Sequence, residues 1–296
     1  MKTEAGGSGL VRSLVRVRDR YEVLSSRVSY RAKLAAVWVV IATILSATFI
    51  ALGLDIPFMR NWAPYVLRGG FLTLYISAGG ILLAIPLALL GALGRLSKNP
   101  IPNGIAGFYT SFFRGTPLIV QIFFIYTALP QLAGLGPAWM DTIFILDINL
   151  AGMLALGINY GAYMTEIFRA GIQSVGHGQV EAAHALAMTP TQTMRRVVLP
   201  QAVRVIIPPT GNEFIAMLKD SALVGIAGTQ ELFFRASRVG RGNFRMLETL
   251  IMAAAVYWLL TSIFSFFQKR LEERFSRGYV REGPVGTLPQ HGAHTG

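Results

Sequence analysis

Two carboxylates and an ammonium group lie inside an apolar segment in the second half of the sequence. Glu213, Lys219 and Asp220 all fall between Val205 and Ala227. A charged side chain within a membrane span costs about 3 kcal/mol on insertion scales, so such residues tend to face a cavity or a partner. We therefore treat all three as candidate functional residues.

Helical geometry divides these charges between two faces. Glu213 and Asp220 share one face, whereas Lys219 lies on the adjoining face with Asn212. Either carboxylate could accept a substrate ammonium group, and Lys219 or an amide could meet a substrate carboxylate. The alternative is an internal ion pair that holds kinked helices together.

A second polar stripe precedes this segment. Asn159, Tyr163 and Glu166 repeat at positions i, i+4 and i+7, on one face of a helix. Because a polar face in contact with lipid is costly, a pore or a partner is expected on that side. Glu166 has a simpler use as the i, i+3 partner of Arg169.

The same reasoning gives a set of candidate residues along a translocation path. Arg114 stands just before an apolar segment and is interpreted as an interfacial anchor that reaches water. The candidates are Gln121, Asn159, Tyr163, Asn212, Glu213, Lys219, Asp220 and Ser221.

The composition is that of an integral membrane protein. Of 296 residues, 53% are hydrophobic and only 14% are charged, and the mean hydropathy is +0.49. A spanning helix needs about 20 mostly apolar residues, and six segments approach that standard. They run from Ala35 to Leu54, Phe71 to Leu93, Pro117 to Leu135, Ile143 to Phe168, Val205 to Ala227 and Leu250 to Phe267.

Basic residues predict the orientation of these spans. The first thirty residues are basic and lack the apolar core of a signal peptide, so we expect a retained, cytoplasmic N-terminus. Alternate counting places the segment from Arg169 to Arg204 and the C-terminus inside as well. Four arginines break the rule, because alternate counting places their loop outside. Either one predicted segment does not cross the membrane, or the loop is a tolerated exception or a docking surface for an acidic external partner. These arginines are Arg235, Arg238, Arg241 and Arg245.

Several classes of function are excluded by what the sequence lacks. It contains no cysteine, its four His residues do not fall at helical ligand spacing, and it has no phosphate-binding loop, nucleophile elbow or H-E-x-x-H motif. We expect neither a metal site nor bound ATP. The net charge of +12 is explained by arginines that flank membrane spans, so nucleic acid is not expected as a partner.

The loop after the fourth predicted span has its own helical signals. Gly176 and Gly178 interrupt the preceding helix, and a short helix is predicted from Gln179 to Leu186. A capping box starts a second short helix. Thr189 is its N-cap, Pro190 takes the first helical position, and Gln192 lies three residues after the cap. The two helices meet at a bend near Ala187 and Met188.

The first short helix carries an unusually slim apolar surface. It is made by Ala182, Ala183, Ala185 and Leu186, beside Glu181 and His184. A slim helix can enter a groove on another protein. The alternative is a helix that lies on lipid headgroups.

This segment resembles the EAA motif of permease subunits of bacterial ATP-binding-cassette importers. The run from Glu181 to Pro200 reads E-A-A-x3-A-x9-V-x-L-P, where the family has E-A-A-x3-G-x9-I-x-L-P. Ala187 replaces the family's glycine, and its Cβ disfavours a left-handed backbone at the bend. The flanking segments, from Arg114 to Tyr126, from Tyr163 to Val175 and from Leu199 to Val224, look like the polar amino-acid permeases of the histidine, glutamine and arginine type.

The resemblance covers about Leu67 to Lys269 and implies an all-α integral membrane protein with the type I ABC-importer permease fold. It implies a core of five spans at 67–269, with an extra span and external loop at 35–66, a coupling loop at 169–200, and cytoplasmic tails at 1–34 and 270–296, the second largely disordered. A coupling helix would dock on a cytoplasmic ATPase. The residues implied are Glu181, Ala182, Ala183, His184, Ala185, Leu186, Ala187 and Met188.

The resemblance also implies partners. These are two ATPase subunits, which use ATP and Mg²⁺; a second permease copy or paralogue; an extracytoplasmic substrate-binding protein; a polar amino acid; and the lipid of the bacterial inner membrane. A compatible solute or an opine is an alternative substrate. The alternative class is an ion-coupled secondary transporter, for which Glu213 and Asp220 would be the coupling carboxylates.

Overall fold

A computed structural model describes residues 29–133, 135–137 and 139–275. Every regular element in this part of the chain is a helix. The chain divides into two compact units, Met1–Ile56 and Pro57–Gly296. The predictions for residues 1–28 and 276–296 lie outside the described residues.

In its described part the first unit contains one helix, α1, which spans Tyr30–Ala51. Ser29 caps its N-terminus, because the serine hydroxyl accepts a hydrogen bond from the Ala32 amide at 3.3 Å. None of its residues is buried within the chain. The helix is long and apolar enough to cross a membrane, which agrees with the predicted span from Ala35 to Leu54.

The second unit contains eleven α-helices in its described part, two of them reached through π-helical turns at Phe124–Ala128 and Met194–Val198. The helices are α2 (Ile56–Leu96), α3 (Pro100–Gly115), α4 (Leu118–Phe123), α5 (Leu129–Ala133), α6 (Trp139–Phe144), α7 (Ile148–Gln173), α8 (His177–Ala185), α9 (Pro190–Thr193), α10 (Leu199–Ala227), α11 (Leu232–Gly242) and α12 (Met246–Phe275).

The core of this unit lies where α2, α7 and α10 meet. Ile76, Leu156 and Met217 are completely buried there, one from each helix. The helices approach closely at Gly157, where an added Cβ would lie 2.7 Å from the Leu83 Cδ2 atom. Small residues at a helix crossing permit van der Waals packing in lipid, where no hydrophobic effect drives association.

Only some of the predicted spans form helices that are both long and apolar enough to cross a membrane. Among the described residues, α1, α2 and α12 are long and apolar enough to cross a membrane, and the pair Pro100–Gly115 and Leu118–Ala133, bent by 106°, would be a fourth crossing. The prediction of six also counted α7 and α10. These helices have 26 and 29 residues, but their polar side chains lower their apolarity.

The predicted span from Pro117 to Leu135 forms one helical stretch, in which α4 and α5 are joined by a π-helical turn, whereas the preceding α3 is not predicted from the sequence. The chain breaks between α3 and α4 at Thr116, because a residue before proline is pushed out of the helical region and its backbone is extended, with φ −110° and ψ 143°.

The loop between α7 and α10 forms the two predicted helices, with one difference at the bend. The capping box at Thr189 is present, with the threonine hydroxyl and the Gln192 side chain each bonded to the other's backbone amide. Ala187, however, has φ +54°, so the bend is left-handed even though the alanine Cβ disfavours that conformation. The amides of Ala187 and Met188 bond to the carbonyls of His184 and Ala183 at 2.9 and 3.1 Å, a Schellman motif that offsets the cost of the Cβ.

Candidate functional site

A polar cavity of about 470 Å³ lies where the junction of α3 and α4 faces α7 and α10. Both polar stripes predicted from the sequence contribute to its wall, although they belong to different helices. The lining residues are Arg114, Gly115, Thr116, Pro117, Leu118, Asn159, Tyr160, Tyr163, Glu213 and Asp220.

Two carboxylates from α10 lie in this wall. Glu213 and Asp220 are both half-buried, as their shared helical face predicted. The hydroxyl of Tyr160, on α7, donates a 2.8 Å hydrogen bond to Asp220 Oδ2. Tyr160 was missed by sequence reasoning, because it is one residue beyond the Asn159 stripe and looks like an ordinary aromatic residue of the core.

An amide network holds the wall next to the α3–α4 break. Asn159 Nδ2 donates to the Phe113 carbonyl at 3.0 Å and to Gln121 Oε1 at 3.2 Å. Gln121 Nε2 donates in turn to the hydroxyl of Thr116 at 2.8 Å. Gln121 is buried and its side chain supports Asn159, whereas Asn159 itself reaches the cavity.

A guanidinium group lies in the same wall. Arg114 is exposed at the end of α3, and its Cζ atom lies 5.3 Å from the centre of the Tyr163 ring, within the range of a cation–π contact. The interpretation of Arg114 as an interfacial anchor is therefore incomplete, because this cation also lines the cavity.

A second polar cavity, of about 480 Å³, shares Arg114, Gly115 and Tyr163 with the first. Glu166 lines it and forms the predicted i, i+3 ion pair with Arg169, at 2.7 Å. Glu166 also lies 3.8 Å from Arg95, on α2. Tyr163 therefore joins two polar spaces, and Glu166 belongs to the second one.

Three candidates from α10 do not reach the cavity. Asn212 and Lys219 are exposed and are absent from the lining, because each precedes a lining carboxylate by one residue and so points about 100° away. Ser221 is completely buried and donates to the Leu218 carbonyl at 2.8 Å. The alternative of an internal ion pair is not observed either, since within the described ranges Glu213, Lys219 and Asp220 form none.

The loop predicted to couple to an ATPase presents one face outward. Ala182, Ala185 and Leu186 are exposed, and Leu186 has 78% of its surface accessible. Ala183 is buried against the rest of the chain, at 3% exposure, so it supports the helix from within. Glu181, His184 and Ala187 are also exposed, and Met188 is half-buried.

The arrangement fits transport of a small polar solute. Carboxylate acceptors on α10 and a guanidinium donor at the end of α3 share one cavity, so a molecule with both charges can be held by its two ends. No group of three or more potential metal-ligating side chains occurs in the part of the chain that the structure describes. The fold and the cavity together define a membrane permease.

Comparison with known proteins agrees with this class. Residues 80–277 match the family described as the binding-protein-dependent transport system inner membrane component. The chain belongs to this family, and it is a multi-pass membrane protein and a transport subunit rather than an enzyme. Transport in this family depends on a binding protein, and the ATPase is a separate subunit.

Two curated relatives are similar over most of the chain. The probable amino-acid permease protein YxeN of Bacillus subtilis is 37% identical over 226 residues, which cover 76% of this chain and 98% of the relative. The arginine transport system permease protein ArgU of Corynebacterium glutamicum is 41% identical over 213 residues, which cover 71% of this chain and 67% of the relative.

Solved structures confirm the type I importer fold. A crystal structure of an amino acid ABC transporter with histidines matches with a TM-score of 0.68 and 36% identity, covering 75% of this chain and 99% of the other. The MetNI methionine ABC transporter in inward facing conformations matches with a TM-score of 0.57 and 19% identity, covering 76% and 100%. The second likeness concerns the fold alone.

Proposed function

We propose that the chain is the permease subunit of an ATP-driven importer that moves an amino acid into the cytoplasm by alternating access. The observation that carries this proposal is the cavity in which Arg114 and the carboxylates of Glu213 and Asp220 line one space. Both named relatives are amino-acid permeases, which supports the same class of substrate.

Each polar group of the cavity has a use in this proposal. Arg114 binds the substrate α-carboxylate, since a guanidinium group can form two parallel hydrogen bonds with it. Asp220, oriented by the Tyr160 hydroxyl at 2.8 Å, accepts the α-ammonium group. Asn159 offers its amide oxygen as an acceptor at the same wall, and the hydrogen bonds that its Nδ2 donates to Phe113 and Gln121 keep it in place.

The charge of the cavity favours a cationic amino acid. One guanidinium and two carboxylates leave one negative charge when all three are ionised, and a neutral amino acid would leave one carboxylate without a partner. An uncompensated charge within a membrane protein is costly. We therefore propose arginine, lysine, histidine or a related cationic amino acid, with Glu213 accepting its side chain.

The proposed assembly follows from the exposed face of α8. Ala182, Ala185 and Leu186 would dock in a groove of an ATPase, which uses ATP and Mg²⁺. The working unit would contain two ATPases, two permease chains and an extracytoplasmic binding protein, in the bacterial inner membrane with both permease termini in the cytoplasm.

The test is uptake by proteoliposomes that contain the permease purified with its ATPase. Purified extracytoplasmic amino-acid-binding proteins from the same cell are added one at a time, with radiolabelled arginine, glutamine or glutamate. We expect uptake of arginine that requires ATP and one of these binding proteins, and that competing lysine or histidine reduces.

The matched variants are Asp220→Asn, in the cavity, and Asn212→Ala, on the same helix but outside it. Asp220→Asn should raise the substrate concentration needed for half-maximal uptake, whereas Asn212→Ala should not. Uptake without ATP that an ionophore abolishes would contradict the importer and support the ion-coupled transporter. Preference for glutamate would contradict the cationic substrate.

A further inference from the structure

Two arginines on α11 have no partner within the described chain. Arg238 and Arg241 are exposed, lie three residues apart and so share one face of the helix. Among the described residues, no carboxylate lies within ion-pair distance of either. Together with Phe244, they form what we call the arginine surface.

The other two arginines of this region have structural uses. Arg235 lies 4.8 Å over the Tyr65 ring and donates to the Gln230 carbonyl at 2.8 Å. Arg245 forms an ion pair of 3.0 Å with Glu248. The four arginines that the sequence grouped together therefore divide into two that hold the fold and two that point outward.

Phe244 is the most exposed large hydrophobic residue in the described part of the chain. It has 96% of its surface accessible and φ +55°, a conformation that a bulky residue rarely adopts. The amide of Arg245 bonds to the Gly240 carbonyl at 2.8 Å and fixes this turn.

A cleft of about 450 Å³ lies beside this turn, lined by Trp62, Tyr65, Gln230, Arg238, Val239 and Asn243. Aromatic residues and arginine are the residue types enriched where protein interfaces gain most of their affinity.

The arginine surface is held on a rigid base. Glu231, at the start of α11, is completely buried and accepts hydrogen bonds from the amides of Phe233 and Phe234 at 2.9 and 2.7 Å. It also accepts one from the Tyr257 hydroxyl, on α12, at 2.5 Å. A rigid surface loses little conformational entropy when a partner binds.

The position of α11 makes its charge unusual. α10 has 29 residues and is therefore about 43 Å long; it begins after the coupling loop and ends before α11. If the coupling loop faces the cytoplasm, then α11 faces outward, where the positive-inside rule disfavours arginine. If Arg238 and Arg241 bind a partner, their position on the outward side is explained, because the partner compensates their charge.

We infer that Arg238, Arg241 and Phe244 dock an acidic face of the extracytoplasmic substrate-binding protein, with Phe244 as the apolar contact and the arginines as its charged flank. The inference rests on the proposed function, which supplies such a partner. Opposite charges on two such faces speed their encounter and select the register of docking. Gly225, near the end of α10, packs against the Glu231 side chain at the start of α11. A partner docked on α11 therefore contacts a helix that packs against α10, the helix that carries Asp220.

The experiment measures the affinity between the complete permease–ATPase complex, in nanodiscs of neutral phosphatidylcholine, and the binding protein that supports uptake in the assay above. The variants are Arg238→Glu with Arg241→Glu, and Phe244→Ser. The control is Lys98→Glu with Arg274→Glu, which makes the same change of net charge at two exposed positions away from α11. Lys98 follows the C-terminus of α2, and Arg274 lies in the last turn of α12.

We expect the arginine double variant to weaken binding about tenfold or more, while ATP hydrolysis without binding protein stays at the wild-type rate. The loss should shrink at 0.5 M salt, because the wild-type affinity falls as charges are screened. Exchanging an acidic pair on the binding protein for arginine should restore binding to the double variant.

Other outcomes overturn the inference in distinguishable ways. Equal binding by wild type and the double variant removes the surface but leaves the importer intact. A difference that appears only in nanodiscs with anionic lipid assigns the arginines to lipid headgroups. If no binding protein supports uptake by the wild-type complex, the proposed function fails, and the docking partner fails with it.

Discussion

The hydroxyl of Tyr160 lies 2.8 Å from the carboxylate of Asp220 and joins α7 to α10 at the wall of the polar cavity. This hydrogen bond fixes the direction of the carboxylate that we assign to the substrate ammonium group. A hydrogen bond to a charged group contributes about 1.5 to 3 kcal/mol, so it should be visible in transport.

Tyr160→Phe should therefore raise the half-saturating substrate concentration about tenfold, since Asp220 keeps its charge and loses its orientation. The measurement is uptake at varied substrate concentration in proteoliposomes. Tyr109→Phe is the matched control, because the Tyr109 hydroxyl donates to the Ile158 carbonyl at 2.6 Å and does not line the cavity. Equal half-saturation for both variants would show that the Tyr160 hydroxyl is only structural.

Docking of an ATPase on the exposed face formed by Ala182, Ala185 and Leu186 can be tested at a single position. Ala185→Trp should abolish ATPase co-purification and ATP-driven uptake, because a large ring on the exposed face of α8 holds that face away from a groove. Leu135→Trp is the control, since Leu135 is 83% exposed and lies outside the coupling loop. Retention of the ATPase by Ala185→Trp would refute docking through this face. Ala183 is unsuitable for this test, because it is buried at 3% exposure and a tryptophan there would disrupt the loop itself.

The left-handed bend after α8 predicts a stabilising substitution. Ala187→Gly removes the Cβ that opposes φ +54°, and we expect the loop to gain about 0.5 to 1 kcal/mol. Hydrogen exchange should become slower at the amides of Ala187 and Met188. Ala182→Gly, in the interior of α8, should make exchange faster, because glycine destabilises a helix interior. Faster exchange in Ala187→Gly would contradict the assigned backbone.

Two adjacent glycines on α2 provide a paired test of packing. An added Cβ at Gly69 would lie 2.7 Å from the Leu232 Cα atom, whereas one at Gly70 would lie 3.8 Å from the Val256 Cγ1 atom. Backbone cannot move aside as a side chain can, so Gly69→Ala should cost about 1 to 3 kcal/mol and Gly70→Ala little. The measurement is thermal unfolding in detergent, followed by size-exclusion chromatography with fluorescence detection. Equal midpoints would show that α11 does not pack against α2 in this way.

Much of the local structure is determined by the sequence. The capping box at Thr189 appears as predicted, because a hydroxyl, a proline and an amide at fixed spacing satisfy the first turn of a helix without help from the rest of the chain. The ion pair of Glu166 and Arg169 is equally local. The family itself follows from the EAA segment and its flanks, which residues 80–277 confirm.

The tertiary structure decided which side chains meet. Lys219 is excluded from the cavity and Arg114 is included in it, although the sequence suggested the opposite for each. The rotation of α10 is set by packing against α7. Burial likewise turned Ala183 inward and left Ala182 and Ala185 outside. Contacts within one helical turn are fixed by spacing along the chain, whereas contacts between helices depend on how the helix surfaces pack together. The sequence could therefore identify candidate residues, but it could not predict which of them line the same cavity.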